Sequence, residues 1–324
     1  RHVGHDALRP ARVLFHDLVL LTRGTGIPVL EPLLGHFPAA SERDGVTLPI
    51  DIEVSSRPSP PAPGRCLATM ERVTLHETAR GWLFSDGASW AEAIKEPVSV
   101  HGEVASDAGE HGSAKEVAYT ALLVALRSLG VYELHSAAVQ AREFALLIVG
   151  NSGSGKTTLA TALLEAGCGY LGDDRVLLRE APDETIGLCS FPAAFRLTAA
   201  TASAFPRLAS CLGSAFRPKR ELDLRAAFPG RHVPRASSPR FLLFPVRASH
   251  TELVRLSPGD ALTRLLPQSS SLVVPDHPAP ERQLRALRSL AQSAVTLEAR
   301  LGPEWLEDPV AAARELLARC SAGN

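Results

Sequence analysis

Short apolar runs separated by clusters of Gly, Pro, Asp and Ser recur along the chain, and their periodicity predicts alternating strands and helices. Residues 13–21 and 48–54 read as strands around a short helix near 30–37. The Pro-rich stretch 57–64 predicts an exposed, extended connection. Residues 72–77 and 81–84 flank a turn and predict a hairpin, while 103–113 are polar enough to form a loop. From Lys115 to Leu129, Val117, Ala121, Val124 and Leu129 recur near helical spacing, and Gly130 stops the helix. The pattern divides the chain into a small α+β module over 1–113 and a larger domain over 114–324. No internal repeat is visible, and the chemistry of the first module is not disclosed by its residues.

The middle of the chain carries the strongest local pattern. Residues 134–139 and the apolar run 144–149 read as two strands joined by the turn 140–143. A hairpin built on that turn faces Val139 with Phe144 and His135 with Ile148, which sets His135 at the open end. The second strand runs into Gly150-Asn151-Ser152-Gly153-Ser154-Gly155-Lys156-Thr157, which fits the phosphate-loop pattern at every fixed position. Residues 158–166 then read as a helix, with Gly167 as its C-cap. Glycines in such a loop let successive backbone N–H groups turn onto phosphate oxygens, and the helix N-terminus adds its partial positive charge. Lys156 is placed to reach the β- and γ-phosphates and the Thr157 hydroxyl to ligate Mg²⁺. The observations imply nucleoside triphosphate binding, with Thr158 closing the loop segment.

One helix downstream, Asp173 and Asp174 stand where an apolar segment resumes. Neighbouring side chains on an extended chain point to opposite sides, so a division of labour is expected rather than chelation by both. One carboxylate holds Mg²⁺ through water, the other takes a proton from an incoming hydroxyl. His135, predicted beside the loop, is a candidate to donate to phosphate oxygens or move protons.

Later segments read as an α/β layer. Residues 241–246 and 252–256 are predicted strands, and Ser257-Pro258-Gly259-Asp260 opens a helix with Ser at the N-cap and Pro at N1. A helix over 282–293, a strand over 295–299 and a last helix over 310–319 follow. His277, between prolines, is read as a loop residue. Residues 217–240 are locally basic, with Arg217, Lys219, Arg220, Arg225, Arg231, Arg235 and Arg240 against Glu221 and Asp223. The region reads either as a solvated loop or as a flap, with Arg196, Lys219 and Arg220 as candidates for contacts to phosphate or an acidic substrate.

Composition narrows the classes. A net charge of −1 over 324 residues supplies no field for nucleic acid or an acidic membrane, and the basic stretch lacks interleaved aromatics. Neither a membrane-spanning run nor a signal-peptide core is visible, and five scattered cysteines support neither a disulfide framework nor a zinc site. Reduced thiols in the cytoplasm are expected. The chain begins at Arg1 rather than Met, which leaves an upstream segment open.

His135-Ser136-Ala137-Ala138-Val139, the loop ending Gly153-Ser154-Gly155-Lys156-Thr157-Thr158, and Leu171-Gly172-Asp173-Asp174-Arg175-Val176 resemble the catalytic core of HPr kinase/phosphorylase and of HPr-kinase-like peptide kinases. The resemblance is specific over roughly 131–180 and diffuse beyond. It implies a phosphoenolpyruvate-carboxykinase-like α/β fold with a mixed nucleotide-binding sheet. It also implies ATP and Mg²⁺ as cofactors and a serine of a peptide or protein as acceptor. Carried over by motif, His135, Lys156, Thr157, Asp173 and Asp174 form the site, with Asp173 or Asp174 as base. The Glu-x-Arg-Gly-x-Gly stretch of HPr kinases is absent, and 187–197 stands in its place. HPr as substrate and the reverse phosphorylase reaction are therefore not implied. A small-molecule kinase and a non-catalytic nucleotide switch stay open as alternatives. So does homo-oligomerisation.

Overall fold

The computed structural model describes residues 11–35, 37–41, 45–70, 72–106, 113–181, 185–191, 193–216, 219–236, 238–269 and 279–322. Arg217 and His277, singled out above, lie outside the described residues. The chain forms two compact units, the first reaching Gly130 and the second comprising Val131–Val273 and Pro280–Asn324.

In the first unit the strands are β1 (Ala11–Phe15), β2 (Leu18–Arg23), β3 (Val46–Ser55), β4 (Cys66–Met70), β5 (Val73–Glu77), β6 (Gly81–Ser85), β7 (Trp90–Ile94) and β8 (Ser99–Ala105). Two helices accompany them, α1 (Glu31–Leu34) and α2 (Ala114–Ser128). The strands form one sheet in the order β1-β2-β3-β8-β7-β6-β5-β4, parallel only at β2/β3 and β3/β8. The strand predicted over 13–21 breaks in two because His16 takes a left-handed backbone (φ 62°) and turns the chain at Asp17. A 3₁₀ turn, Ile27–Leu30, leads into α1 where a single short helix was expected. Helix α2 packs across β6, β7 and β8, so it belongs with this sheet rather than opening the next domain. Glu92, fully buried on β7, is satisfied by Thr78 and Arg80.

The second unit begins with β9 (Val131–Leu134), β10 (Ser136–Gln140), β11 (Ala145–Val149), α3 (Lys156–Glu165), β12 (Gly169–Gly172), β13 (Val176–Glu180) and β14 (Ile186–Ser190). It continues through β15 (Arg196–Thr198), α4 (Ala199–Ala204), β16 (Leu212–Phe216), β17 (Lys219–Leu222), α5 (Leu224–Ala227), β18 (Arg235–Ala236), β19 (Phe241–Arg247) and β20 (Glu252–Arg255). The last elements are α6 (Pro258–Leu265), α7 (Ala279–Ser293), β21 (Val295–Leu301), α8 (Glu304–Glu307) and α9 (Pro309–Ala322). A six-stranded sheet runs β12-β10-β11-β19-β21-β20, a four-stranded sheet β18-β14-β13-β9, and a small sheet β15-β17-β16. The architecture is α/β. The six-stranded sheet is mixed, with β11, β19 and β21 parallel and its other pairings antiparallel.

Every residue of β11 is buried, which explains its unbroken apolar sequence: a strand covered on both faces has no solvent side to alternate with. Leu146 and Ile148 join Val139, Leu159, Leu163, Phe195, Phe241 and Leu316 in one core, with α3 held between β10 and α9. The β10–β11 register differs from the one expected. Val139 pairs with Leu146 and Ala137 with Ile148, because the turn tightens to Ala141–Phe144, closed by Ala141 N–H donating to Phe144 O at 2.9 Å. That shift carries His135 past Ile148 to the level of the glycine loop.

Leu159→Ala should destabilise the second unit by about 2–5 kcal/mol, the usual cost of a large-to-small change in a packed core. Urea unfolding followed by circular dichroism measures it; an unchanged midpoint would contradict the packing of α3 described above.

Candidate functional site

The glycine loop connects β11 to α3, and its geometry depends on residues without side chains. Gly155 caps α3 in a left-handed conformation (φ 102°) that other residues rarely adopt. At Gly150 an added Cβ would lie 2.7 Å from the Ser154 hydroxyl oxygen, too close for any side chain to fit unmoved. The Ser154 hydroxyl is buried inside the loop with no hydrogen-bond partner among the described residues. An orphaned donor there, at a helix N-terminus, where the first N–H groups have no partner within the helix, is what an anion-binding loop offers.

Lys156 is 6% exposed. Its ammonium donates to Gly150 O at 2.7 Å and to Asn151 O at 3.2 Å, and lies 3.1 Å from His135 Nε2. The other ring nitrogen, Nδ1, is 2.9 Å from the carbonyl oxygen of Asp174. A carbonyl only accepts, so Nδ1 carries the proton and Nε2 receives the lysine. Burial holds the Lys156 ammonium below the usual lysine range; Asp173 and Asp174 pull it back up, and Lys219 pushes it down further. Behind this group, His135 N–H donates to Gln268 O at 2.7 Å, and Gln268 Nε2 donates to Asn151 Oδ1 at 2.6 Å. Gln268 thereby ties the histidine and the loop to one buried residue.

The two aspartates lie on the bend between β12 and β13, which belong to different sheets, rather than on a strand. Asp174 takes a left-handed backbone (φ 63°), a conformation Asp tolerates better than most residues, and this aims its carbonyl at His135. The two carboxylates diverge as expected, through the turn rather than strand alternation. Asp173 is 2% exposed and accepts from the Thr157 hydroxyl at 3.2 and 3.3 Å. Asp174 lines the open cleft. Burial, reinforced by the Asp174 charge, pushes the Asp173 carboxyl up to about 7 against the opposing pull of Thr157 and Lys156.

The cleft has a volume of about 600 Å³, within the range of about 300–1,000 Å³ usual for small-molecule sites. The glycine loop, His135 and Asp174 form one side. Arg196 and Thr198 of β15 and Lys219 of β17 form another, and Arg247, Leu301, Trp305 and Leu306 a third. The third side lies at the carboxyl ends of β19 and β21, where ligands bind in open α/β sheets whose strands run parallel. Among the described residues, four cations, Lys156, Arg196, Lys219 and Arg247, face the cleft with one carboxylate, Asp174, so an anionic ligand is favoured. Arg247, Leu301 and Trp305 escape sequence reading because nothing local marks them; only the pairing of β19 and β21 beside β11 brings them to the loop.

The basic stretch resolves residue by residue. Lys219 lines the cleft, whereas Arg220, the next residue on β17, donates to Leu212 O and Gly213 O at 3.0 and 3.2 Å and is exposed. Arg231 donates to Leu164 O at 3.0 Å near the end of α3, and Arg240 stacks over Phe144 and Phe241. Much of the excess charge is thus structural.

Mg²⁺ prefers oxygen ligands, one or two carboxylates and a substrate phosphate, and the Thr157 hydroxyl with the Asp173 carboxylate fits that donor set. Among the described residues no cluster of three or more His, Cys, Asp or Glu could hold a metal by itself.

No protein-family model matches the chain, and no curated protein does. Among solved structures, the Hpr(Ser) kinase/phosphatase from Coxiella burnetii is similar over 58% of this chain and 98% of its own, with 10% identity and a TM-score of 0.30. A likeness of that size supports at most a distant structural relationship and carries no substrate across. Among the described residues no helix is long and apolar enough to cross a membrane.

A raised carboxyl stabilises the folded state only while protonated. The Asp173 contribution is therefore complete below about 4, its ordinary range, and lost as pH rises through about 7. Without divalent cations, the melting temperature of the wild type should fall across that window relative to Asp173→Asn. Parallel profiles for the two proteins would show that Asp173 does not hold its proton.

Proposed function

We propose that the cleft binds a nucleoside triphosphate with Mg²⁺ and transfers its terminal phosphoryl group to an alcohol. The observation that carries this reading is the meeting of a glycine loop, a buried lysine, and a threonine hydroxyl set on a buried carboxylate. Loop N–H groups and the Lys156 charge would hold the β- and γ-phosphates, and the freed Ser154 hydroxyl would find its acceptor there. Thr157 and Asp173 would hold Mg²⁺, which neutralises charge on the phosphates when bound. Leu301, Trp305 and Leu306 offer an apolar surface for the base.

Asp174 is the base of this scheme because it faces the cleft while Asp173 lies beneath Thr157. Asp174 would take the proton as the acceptor oxygen bonds to the γ-phosphorus and the bond to the β–γ bridging oxygen breaks. His135 would position both partners, accepting from Lys156 and donating to the Asp174 backbone. The acceptor class, a serine hydroxyl on a peptide or protein, follows from the sequence resemblance alone.

Lys156→Ala should abolish measurable Mg·ATP binding in a calorimetric titration, and Asp174→Asn should bind ATP normally while losing about 10²–10⁴-fold in turnover. Incubation with γ-labelled ATP and candidate peptides, read by mass spectrometry, tests the acceptor. Phosphate found only on a small metabolite would replace the peptide reading, and unchanged ATP affinity in Lys156→Ala would remove the nucleotide site itself.

A further inference from the structure

The wall of the cleft formed by β15 and β17 has no part in the phosphate-loop motif, yet its position is fixed to the loop. Thr158, the second residue after Lys156, shares a hydrogen bond with Thr201 at 2.9 Å. Thr201 in turn meets the Thr198 hydroxyl at 3.0 Å and donates its backbone N–H to the same oxygen at 3.2 Å. Thr198 is the register partner of Lys219 across the β15–β17 pair. A chain of hydroxyls therefore links the first turn of α3 to β15, whose Thr198 pairs with Lys219 of β17.

That linkage decides which end of the cleft Lys219 serves. It anchors at Thr158, beside Thr157 and Asp173, whereas Leu301, Trp305 and Leu306 come from β21 and the segment after it. Lys219 lines the same cleft as Lys156. It makes no ion pair with any described residue, and no carboxylate stands opposite it in the β15–β17 register. Two ammonium groups lining one cleft repel unless an anion lies between them. The loop lysine of such sites reaches the β- and γ-phosphates, so the anion that both can share is the outermost phosphate.

We propose that Lys219 reads the terminal phosphate of the bound nucleotide, supplying from a separate wall a cation that a triphosphate engages and a diphosphate does not. Arg196, on β15 and facing the same cleft, adds charge to that wall. Arg220, on the opposite face of β17, has no such role. The inference rests on the nucleotide reading above and gives that site a specificity determinant outside its motif.

The test is calorimetric titration of the full chain with Mg·ATP and Mg·ADP, for the wild type and for Lys219→Ala, Lys219→Arg and Arg220→Ala. A charge-assisted hydrogen bond of about 1.5–3 kcal/mol corresponds to roughly a tenfold to hundredfold change in affinity. Lys219→Ala should lose that much for ATP while its ADP affinity stays within about twofold, so the preference for ATP collapses. Lys219→Arg should keep most of the preference, and Arg220→Ala should match the wild type for both nucleotides, which also reports that β17 is intact. Equal losses for ATP and ADP, or none, in a Lys219→Ala protein that melts like the wild type would overturn the inference alone. If the wild type binds neither nucleotide, the nucleotide reading fails and this inference with it.

Discussion

A lysine ammonium taken out of water must be met by acceptors on every side, and Lys156 finds them in two loop carbonyls and one imidazole nitrogen. Much of the site follows from that requirement. The imidazole can accept only if its other nitrogen carries the proton, so Nδ1 needs an acceptor, and the left-handed turn at Asp174 provides its carbonyl. The same turn separates the two carboxylates, leaving Asp173 under Thr157 and Asp174 at the opening. Loop, histidine and aspartate bend are thus joined in one hydrogen-bonded assembly, in which the buried Ser154 hydroxyl is left unmatched among the described residues.

The mixed sheet explains how residues so far apart in sequence meet. An antiparallel hairpin brings the start of β10 beside the end of β11, which sets His135 next to the loop. Parallel pairing of β11 with β19, and of β19 with β21, brings the ends of those strands to the same edge. A wholly parallel sheet would lack the first contact, and a wholly antiparallel one the second. The small β15-β17-β16 sheet supplies the remaining wall through its threonine link to α3.

What was legible in the sequence is what depends on neighbours. The glycine loop, the apolar run of β11, the helix after the loop and its stop at Gly167 each rest on contiguous residues, and the structure has them with small shifts at their ends. The β10–β11 register was not legible, because the pleat repeats every two residues and a slip of one pair keeps every side chain on its face. The bend at Asp173 and Asp174 was hidden because apolar residues lie on both sides of it, and only the change of sheet between β12 and β13 turns the chain there. Arg247 and Trp305 depend on strand order, a tertiary fact with no local signature, whereas the charges of Arg196 and Lys219 stood out in the sequence. Arg220 shows the converse: its charge resembled that of Lys219 until the pleat put the two on opposite faces.

The dispersal of the cleft over the chain bears on what a piece of this protein can do. Its sides draw on His135, on 152–158, on Arg196 and Lys219, and on 301–306 near the end of the sequence. A fragment ending before β21 would still contain every residue of the glycine-loop motif and both aspartates. It would lack the strand that pairs along the full length of β19, the Leu301 and Trp305 side of the cleft, and α9, against which α3 packs. Such a fragment would pass any search for the motif while having no cleft for the motif to serve. In this protein the recognisable signature is far shorter than the stretch of chain that lines the cleft.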